Sequence, residues 1–531
     1  MAWWTCVFLL CVTAVLADGD WLEVEIEQGP VRGRKEPIGD VYGFYNIPYA
    51  TGPSGEDKFK PPLPAPTWTE SLNATAEKII ICPQHIDPIP GVLEVKEDCL
   101  VANVFVPDTS EKDLSVFVYV HGGGFSAGLG NLYRGTQFIN AKKDFIMVTF
   151  NYRLGIHGFL CLGTEDVPGN AGLKDQVELL HWVQKNIASF GGNPNDVTLV
   201  GSSAGAAAVE LIMLSKSHAM VDDIVSLERF YKTTSIDAMT ADPLPDMTDS
   251  SVLFSPCVER NTTGAFLAES PLSILKKGDF KKLPILYGFT NMEGLLRIDL
   301  FDTWKNKMNE KFSDFLPADL QFGSDTEKLQ VANTVKQFYF GNDPVSNENI
   351  LKYVDFFSDV TFTFSILWTA RLLVEAGHNQ VYLYEYVFVD ENTPEVPHTD
   401  GVQGANHCAQ SFAWMDPLVG VPETPEKMRA TVREIWHNFM KTGTPVPEDS
   451  SLPEWPPLGA AMSPHMVLNE TLELHGVLLA ERTKFWEGIY EKHYRDSVPP
   501  GSGAGSITQT NMLTLLTLYV LFYFTKNILV E

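Results

Sequence analysis

The residues Gly201–Gly205, with the sequence Gly-Ser-Ser-Ala-Gly, offer one serine hydroxyl for nucleophilic chemistry. They follow a short apolar run that ends at Val200, and the small residues after them can begin a helix. A G-x-S-x-G turn between a strand and a helix is typical of a nucleophile elbow, which lifts the serine clear of the sheet. The sequence therefore predicts Ser203 as a nucleophile, and an ordinary turn serine is the alternative.

A serine hydroxyl needs a general base, and that base needs an acid to orient it. In chains with such an elbow the order is serine, acid, histidine. Glu293 follows a predicted strand and is the predicted acid, with a surface carboxylate as the alternative. His407 lies in a loop of small residues after another predicted strand and is the predicted base. The alternative bases are His398, His378 and His437.

The oxyanion of a tetrahedral intermediate needs preorganised N–H donors. Residues 121–125 read His-Gly-Gly-Gly-Phe at the end of a predicted strand, and a glycine run leaves its amides unshielded. We expect the donors to be the N–H groups of Gly123, Gly124 and Ala204, and a simple glycine turn is the alternative. The sequence shows no metal-ligand spacing and no phosphate loop, so we expect no metal and no cofactor.

Continuous apolar runs bounded by turn residues must position these groups. Such runs are typical of strands that are buried on both faces of a parallel sheet. The predicted strands cover residues 115–120, 145–150, 197–200, 283–288 and 381–387. Residues 170–190 have apolar side chains at helical spacing and predict a crossover helix. Alternating strands and helices predict an α/β fold with its chemistry at the carboxyl ends of strands.

The chain has 531 residues and a net charge of −28, with 44% hydrophobic residues. We find no linker composition in its middle and predict one large domain over residues 18–500. The excess of acidic over basic residues argues against a nucleic-acid partner, because binding nucleic acid needs basic patches on the protein. A small-molecule partner is expected, and the sequence does not indicate an oligomeric state.

Both ends of the chain have the composition of targeting segments. Residues 1–17 are apolar and end in small residues, which predicts a secretory signal peptide; a buried first helix is the alternative. Residues 501–531 join small residues, a polar spacer and a modest apolar tail, which predicts a glycosylphosphatidylinositol attachment signal. A tilted membrane anchor and a flexible or docked tail are the alternatives. We therefore expect an extracellular protein, held at the cell surface if the tail is used.

Five cysteines remain after signal removal, and an odd number cannot all pair within the chain. Cys82 and Cys99 flank a Pro-rich loop and are the best disulfide candidates, whereas Cys161 lies among apolar residues and is predicted to be a buried thiol. The three N-x-S/T sequons, predicted glycosylation sites in an exported chain, are at Asn73, Asn261 and Asn469.

Taken together, these motifs resemble the type-B carboxylesterase/lipase family, which includes the cholinesterases, along nearly the whole mature chain. Further stretches that carry the resemblance are residues 44–50, 97–100, 151–155 and 169–176. The resemblance implies an α/β-hydrolase fold and ester hydrolysis through an acyl-enzyme, with Ser203, Glu293 and His407 as the triad. It is nearest to secreted insect esterases such as those of antennae and integument.

The resemblance also implies two ion pairs, Glu97 with Lys58 and Arg153 with Asp175. Cholinesterases carry an acidic residue before the nucleophile and a tryptophan in the first disulfide loop, which hold a quaternary ammonium group. Ser202 takes the first position here, and the loop lacks tryptophan. Neutral esters are therefore favoured, whether odorant or pheromone, xenobiotic or hormone-type.

One departure from the family concerns the stretch between Ser203 and Glu293, which is several tens of residues shorter than usual. We predict that one strand–helix segment is missing after residue 220, through a skipped exon or a faulty gene model. Loss of an interior strand would expose neighbouring strand edges. This departure keeps open a catalytically impaired, cholinesterase-like binding or adhesion protein, and a lipase acting on long acyl chains is a further alternative.

Overall fold

The structure is a computed structural model that describes residues 20–75, 78–84, 93–215, 248–249, 254–262, 264–416 and 423–500, and the backbone of 523–526. Its strands are β1 (Trp21–Ile26), β2 (Gly29–Lys35), β3 (Val41–Pro48), β4 (Leu72–Asn73), β5 (Ile79–Ile81), β6 (Leu93–Val95), β7 (Val101–Pro107), β8 (Leu114–Val120), β9 (Phe145–Phe150), β10 (Gly192–Gly201), β11 (Ile285–Thr290), β12 (Val381–Tyr386), β13 (His465–Leu468), β14 (Leu472–His475) and β15 (Tyr523–Lys526).

The α-helices are α1 (Thr136–Lys142), α2 (Gly155–Phe159), α3 (Ala171–Asn186), α4 (Ala204–Leu214), α5 (Pro271–Lys277), α6 (Phe301–Lys311), α7 (Asp325–Phe340), α8 (Ile350–Ser358), α9 (Phe364–Glu375), α10 (Ser411–Trp414), α11 (Glu426–Thr442) and α12 (Ala480–His493). Shorter 3₁₀ helices cover Gly55–Asp57, Gly130–Leu132, Ile187–Phe190, Glu293–Leu300, Phe312–Phe315 and Asn347–Asn349, and a π-helix covers Asp359–Thr363.

One large mixed sheet runs through the protein in the order β1-β2-β3-β7-β9-β8-β10-β15-β11-β12-β13-β14, with β4 beside β2. The strands β9, β8 and β10 are parallel, and so are β11, β12 and β13. Antiparallel strands flank these two parallel blocks, and β15 lies antiparallel between them. The predicted α/β fold is confirmed, and each predicted strand overlaps an observed one.

Helices cover both faces of the sheet, which explains why β7, β8 and β9 are buried along their whole length. On one face, apolar residues of α3 and α4 pack on the strands in a shared core. On the other face, α11 packs with its buried Val432 and Trp436. A third apolar cluster joins α6, α7, α8 and α12 beside the segment that follows β11.

The long helical stretch Asn347–Glu375 joins α8, the π-helix and α9. By length and composition it is apolar enough to cross a membrane, but 83% of its apolar window is buried inside the protein. We therefore read it as a core helix. The predicted signal peptide and residues 501–522 of the tail lie outside the described residues.

The expected loss of an interior strand can be examined at β10. Between α4 and β11, the described part of the chain contains helix α5 and no strand. On the side away from β8, the neighbour of β10 is β15, which comes from the far C-terminal end of the sequence.

Two disulfides are present, and one of them corrects the sequence analysis. Cys82 pairs with Cys99 as expected. Cys161 was predicted to be a buried thiol, but it pairs with Cys257, because the fold brings two residues 96 positions apart to a Cα–Cα distance of 6.6 Å. Cys408 is a free cysteine. The sequon asparagines Asn73, Asn261 and Asn469 are all exposed.

The ion pair between Arg153 and Asp175 is present and fully buried, with two side-chain hydrogen bonds of 2.6 and 2.8 Å. Arg153 also donates to the backbone carbonyl oxygens of Lys58 and Lys60, so the pair ties an N-terminal loop to α3. Lys58 is itself buried; burial lowers the pKa of its amine, and the charge of Glu97 opposes that effect.

Glu210 of α4 is an unusual carboxyl for a core helix. It is fully buried, accepts one hydrogen bond of 3.2 Å from the Tyr287 hydroxyl, and leaves its other oxygen without a partner. Burial raises the pKa of Glu210 to about 8, an effect that the Tyr287 hydrogen bond partly opposes.

This pKa sets a pH dependence of stability. The folded protein keeps Glu210 protonated up to about pH 8, whereas the unfolded chain releases the proton near pH 4.5, so stability falls as the pH rises between these values. We predict that Glu210→Gln removes this loss and is more stable than the parent at pH 8 but not at pH 4.5. Thermal unfolding across this range measures it, with the exposed Glu310→Gln as control. An unchanged pH dependence would contradict the prediction.

Candidate active site

Ser203 lies at the turn between β10 and α4, with φ 54° and ψ −133°. A non-glycine residue with positive φ is uncommon and costs free energy, so such a conformation persists only where neighbours enforce it. The side chain is largely enclosed, with 6% of its surface exposed. This is the strand–turn–helix geometry that the G-x-S-x-G pattern predicts.

Close packing behind the turn explains why Gly205 is a glycine. A Cβ added to Gly205 would lie 2.1 Å from the carbonyl oxygen of Val120, at the end of β8. Any side chain there would push the start of α4 away from the sheet. The glycine therefore lets the helix approach β8 closely enough to hold Ser203 in its turn.

Glu293 and His407 form a carboxylate–imidazole pair in which the carboxylate is buried and the ring is partly buried. Glu293 opens the 3₁₀ helix directly after β11 and is completely buried. One carboxylate oxygen accepts a hydrogen bond of 2.6 Å from the Thr290 backbone, and the other lies 3.0 Å from Nδ1 of His407. The backbone contact fixes the carboxylate, and the carboxylate fixes the ring.

The surroundings of His407 favour its protonated form. Burial lowers the pKa of the ring, but interactions with the Cys408 sulfur and with the Glu293 carboxylate outweigh burial, so the net pKa lies above its ordinary value. Within the described part of the chain, no hydrogen bond joins His407 to Ser203. The structure therefore holds the predicted acid and the predicted base together, without a hydrogen bond from the ring to the serine hydroxyl among the described residues.

A π-helical turn packs against the imidazole. Phe362 lies in the π-helix Asp359–Thr363, and its ring centre is 4.7 Å from that of His407. Single π-helical turns inside α-helices are frequent at functional sites, because they redirect side chains that a regular helix would place elsewhere. Here the turn presents an aromatic face to the predicted base.

Buried polar contacts hold this π-helical turn in place. Asp359 pairs with Arg482 of α12 through two hydrogen bonds of 2.6 Å and also accepts hydrogen bonds from the hydroxyls of Thr363 and Tyr339. Arg482 also bonds to Asp355, one helical turn earlier. The network fixes the backbone that carries Phe362 and, through it, the wall beside His407.

The glycine loop after β8 lies directly beside the elbow. A Cβ built on Gly122 would lie 2.7 Å from Cβ of Ser203. Gly123 has a φ of 109°, which lets its carbonyl oxygen accept hydrogen bonds from the next turn of the loop. In the described part of the chain, the N–H groups of Gly123, Gly124 and Ala204 donate to no protein acceptor.

The alternative histidines are occupied elsewhere. His398 is exposed and contacts Asn347, and His378 is buried against the carbonyl oxygen of Leu283. His437 binds Asp144 on the opposite side of the sheet from α4. Among the four candidates, His407 is the one that contacts the predicted acid.

Ser202, the neighbour of the predicted nucleophile, faces away from it into the core. Its hydroxyl lies 2.6 Å from the Tyr119 hydroxyl, and both side chains are buried. Sequence reasoning did not find Tyr119, Phe362 or the Asp359–Arg482 pair, because each is brought in by distant parts of the chain and none belongs to a local motif.

No group of three or more His, Cys, Asp and Glu side chains among the described residues could hold a metal ion. The groups gathered around Ser203 and His407 are those that nucleophilic chemistry uses. A strained serine lies beside unshielded amides, and Glu293 holds the imidazole of His407. Such an arrangement suits attack on an acyl carbonyl.

Comparisons with known proteins agree with this chemistry. The sequence model of the carboxylesterase family matches residues 20–227 and 221–486. A juvenile hormone esterase of Heliothis virescens is 30% identical over 508 residues, covering 81% of this chain and 87% of that protein. Carboxylesterase 1C of Mus musculus is 27% identical and covers 90% of this chain and 94% of that protein.

Among solved structures, the juvenile hormone esterase from Manduca sexta with OTFP covalently attached is similar to this chain. The TM-score is 0.75 at 26% identity, over 89% of this chain and 100% of the other. The α/β-hydrolase fold is thereby confirmed. The two stretches that match the family model meet at residues 221–227, where the sequence analysis placed the missing segment.

The close approach at Gly205 can be tested by adding one methyl group. We predict that Gly205→Ala destabilises the protein by about 3 kcal/mol or prevents folding, because the added carbon overlaps the β8 backbone. The matched control is Gly488→Ala in α12, where an added Cβ meets nothing within 4 Å and should be neutral or slightly stabilising. Thermal unfolding of both variants is the measurement. Equal melting temperatures would show that α4 does not need this approach.

Proposed function

The chain belongs to the carboxylesterase family and is a carboxylic ester hydrolase, and we propose that Ser203, His407 and Glu293 are its catalytic triad. The observation that carries this proposal is the 3.0 Å contact between the buried carboxylate of Glu293 and Nδ1 of His407. The contact leaves Nε2 of the ring as the nitrogen that can accept a proton from the serine hydroxyl.

In the proposed reaction, Oγ of Ser203 attacks the ester carbonyl carbon while His407 takes its proton. The carbon–oxygen bond to the alcohol then breaks, and the proton on His407 goes to the leaving alcohol. Water then attacks the acyl carbonyl carbon while His407 takes its proton. The bond to Oγ of Ser203 breaks as His407 returns that proton to the serine, and the carboxylic acid leaves. Glu293 stabilises the imidazolium that forms in each half of the cycle.

The ring and the serine hydroxyl would come within hydrogen-bonding distance when an ester is bound. Catalytic hydrogen bonds are often long or misaligned in unliganded enzymes and tighten in the complex. In the similar Manduca sexta esterase, OTFP is covalently attached, as expected of an enzyme with a reactive nucleophile. This parallel supports a covalent route for the present chain.

The developing oxyanion would be bound by the N–H groups of Gly123, Gly124 and Ala204. The first two lie on the glycine loop beside Ser203, and the third is the first residue of α4. Preorganised amides in an enclosed site stabilise negative charge without reorganisation, and losing one such donor typically costs about 10²–10³-fold in rate.

Neutral esters are the proposed substrates. The residue before the nucleophile is an uncharged serine whose hydroxyl is bound to Tyr119 in the core, so it supplies no charge for a cationic substrate. The aromatic ring of Phe362 lies beside the base and adds an apolar surface. The relatives named as juvenile hormone esterases make hormone-type esters one class to test, beside odorant and xenobiotic esters.

We also propose that the enzyme works outside the cell. Two disulfides lie within the fold, and disulfides persist mainly in oxidising compartments. All three sequon asparagines are exposed, as glycosylation requires. These features support the predicted signal peptide.

Replacing the nucleophile tests the proposal directly. We predict that Ser203→Ala lowers kcat by about 10⁴-fold or more on a simple acetate ester. The matched control is Ser202→Ala, the adjacent hydroxyl that faces Tyr119, which should keep most activity. A fluorescent organophosphate should label the control and not Ser203→Ala. Labelling of Ser203→Ala at the parent rate would refute the assignment.

The environment of His407 predicts a pH profile. Only the neutral ring accepts a proton, so a raised pKa means that activity is lost on acidification at a higher pH than for an ordinary histidine. We predict that Cys408→Ala moves the acid limb of kcat/KM to lower pH by at least about half a unit, because one interaction that favours the imidazolium is removed. Ser411→Ala is the control, and identical limbs for Cys408→Ala and the parent would contradict the prediction.

A further inference from the structure

The two parallel blocks of the sheet each end in the interior of the protein. On one block the last strand is β10, and on the other it is β11. Residues 197–201 of β10 and all of β11 are buried. If nothing lay between them, both strands would leave rows of backbone N–H and C=O groups unpaired in the core, which is costly.

The strand β15 lies in this cleft and pairs with both edges. Its Lys526 lies opposite Thr198 and its Tyr523 opposite Gly201, in an antiparallel register with β10. Thr525 lies opposite Leu199 on one side and opposite Ile285 of β11 on the other. One short segment therefore bridges the two blocks.

We propose that the cleft between β10 and β11 is a strand-acceptor site, and that its occupant is the chain's own C-terminal segment, Tyr523–Lys526. Strand addition to an open edge is a general mode of recognition, in which backbone hydrogen bonds give most of the affinity. Here the added strand is supplied by the same chain, and it closes a gap in the middle of a sheet.

The direction of β15 argues that it replaces a different element. Each of the other neighbours of β10 and β11 in the sheet, β8 and β12, is parallel to them. A strand that followed α4 through a crossover connection would also run parallel. An antiparallel strand from the C-terminal end is not the product of such a crossover.

The comparisons with known proteins also indicate a change in the chain between β10 and β11. The two family-model matches meet at residues 221–227, between α4 and β11. The alignment with the Heliothis virescens esterase runs over 508 residues yet takes in 81% of this chain, so parts of that relative have no counterpart here. The junction of the two matches lies between β10 and β11 in the sequence, and the acceptor cleft lies between the same two strands in the sheet.

The position of β15 links this strand to the reaction. Its pairing with β10 ends at Gly201, two residues before Ser203. Helices α4 and α11 both pack against it. An unpaired end of β10 would lose the hydrogen bonds that fix the base of the turn, so we infer that the tail strand keeps Ser203 in its strained conformation.

This role conflicts with the sequence prediction that residues 501–531 are an attachment signal, because such a signal is removed from the mature protein. It agrees with the docked tail that was the alternative. Residues 501–522 connect Gly501 to the strand, and a chain of this length can extend to about 70 Å, which is enough to reach the cleft. The mature protein should therefore retain its C-terminal end, which the intact mass of the purified enzyme measures.

The register gives a test that does not depend on catalysis. Leu199→Cys with Thr525→Cys places two cysteines directly opposite each other, at a spacing that a disulfide can bridge. Leu199→Cys with Phe524→Cys is shifted by one residue and serves as the control. We expect peptide mapping by mass spectrometry to find the cross-link in the first pair only. Its absence there, or equal yield in both pairs, would overturn the proposal.

A second test disrupts the strand in the full chain. Thr525→Pro removes a backbone N–H and cannot sit in an interior strand. We expect it to lower the melting temperature and to slow organophosphate labelling of Ser203 by about 10-fold or more. Thr525→Val should behave like the parent because it keeps the N–H and suits a strand.

Thr508→Pro makes the same exchange at a position that precedes the strand in sequence, so it is the position control and should behave like the parent. A melting temperature of Thr525→Pro equal to that of the parent would overturn the proposal. Failure of the organophosphate to label the parent enzyme, with the cross-link present in the first cysteine pair and Thr525→Pro destabilised, would instead count against the triad assignment, so the two hypotheses fail separately.

Discussion

The left-handed backbone of Ser203 is the constraint on which the rest of the structure depends. It is stable only if β10, β8 and α4 meet within van der Waals contact behind the turn. Gly205 permits that contact, and the glycine loop after β8 lies against the same turn. The serine, the unshielded amides and the helix that covers them are therefore positioned by one small set of close approaches.

The proposed base is held by residues that follow the other half of the sheet. Glu293 follows β11, and its ring partner His407 is confined by Glu293 and by the aromatic side chain on the π-helical turn. The proposed nucleophile thus follows a strand of one parallel block, and the proposed acid and base follow strands of the other. Their relative position is only as rigid as the junction between β10 and β11. The four-residue strand β15 fills that junction, so it helps to fix the distance between the two parts of the site.

Local sequence pattern was sufficient to predict the main strands and the turn at Ser203. The strands and the turn at Ser203 follow from contiguous residues, whereas the acid and the base were predicted from their order after that turn, and the structure brings Glu293 and His407 into contact. The pairing of Cys161 with Cys257 could not be, because apolar neighbours indicate burial and say nothing about a partner 96 positions away. The strand Tyr523–Lys526 was missed for a similar reason, since an apolar tail reads as an anchor until a gap in the sheet is known.

The disulfide between Cys161 and Cys257 encloses the stretch where the family match changes from one segment to the next. Any peptide bond cleaved between these two cysteines would leave the halves joined covalently. A protease that nicks the connection after α4 would therefore release no fragment under oxidising conditions, and the two pieces would separate only in the presence of a reductant. The covalent link keeps the half that carries Ser203 and the half that carries Glu293 and His407 in one molecule, independent of the continuity of the chain between them.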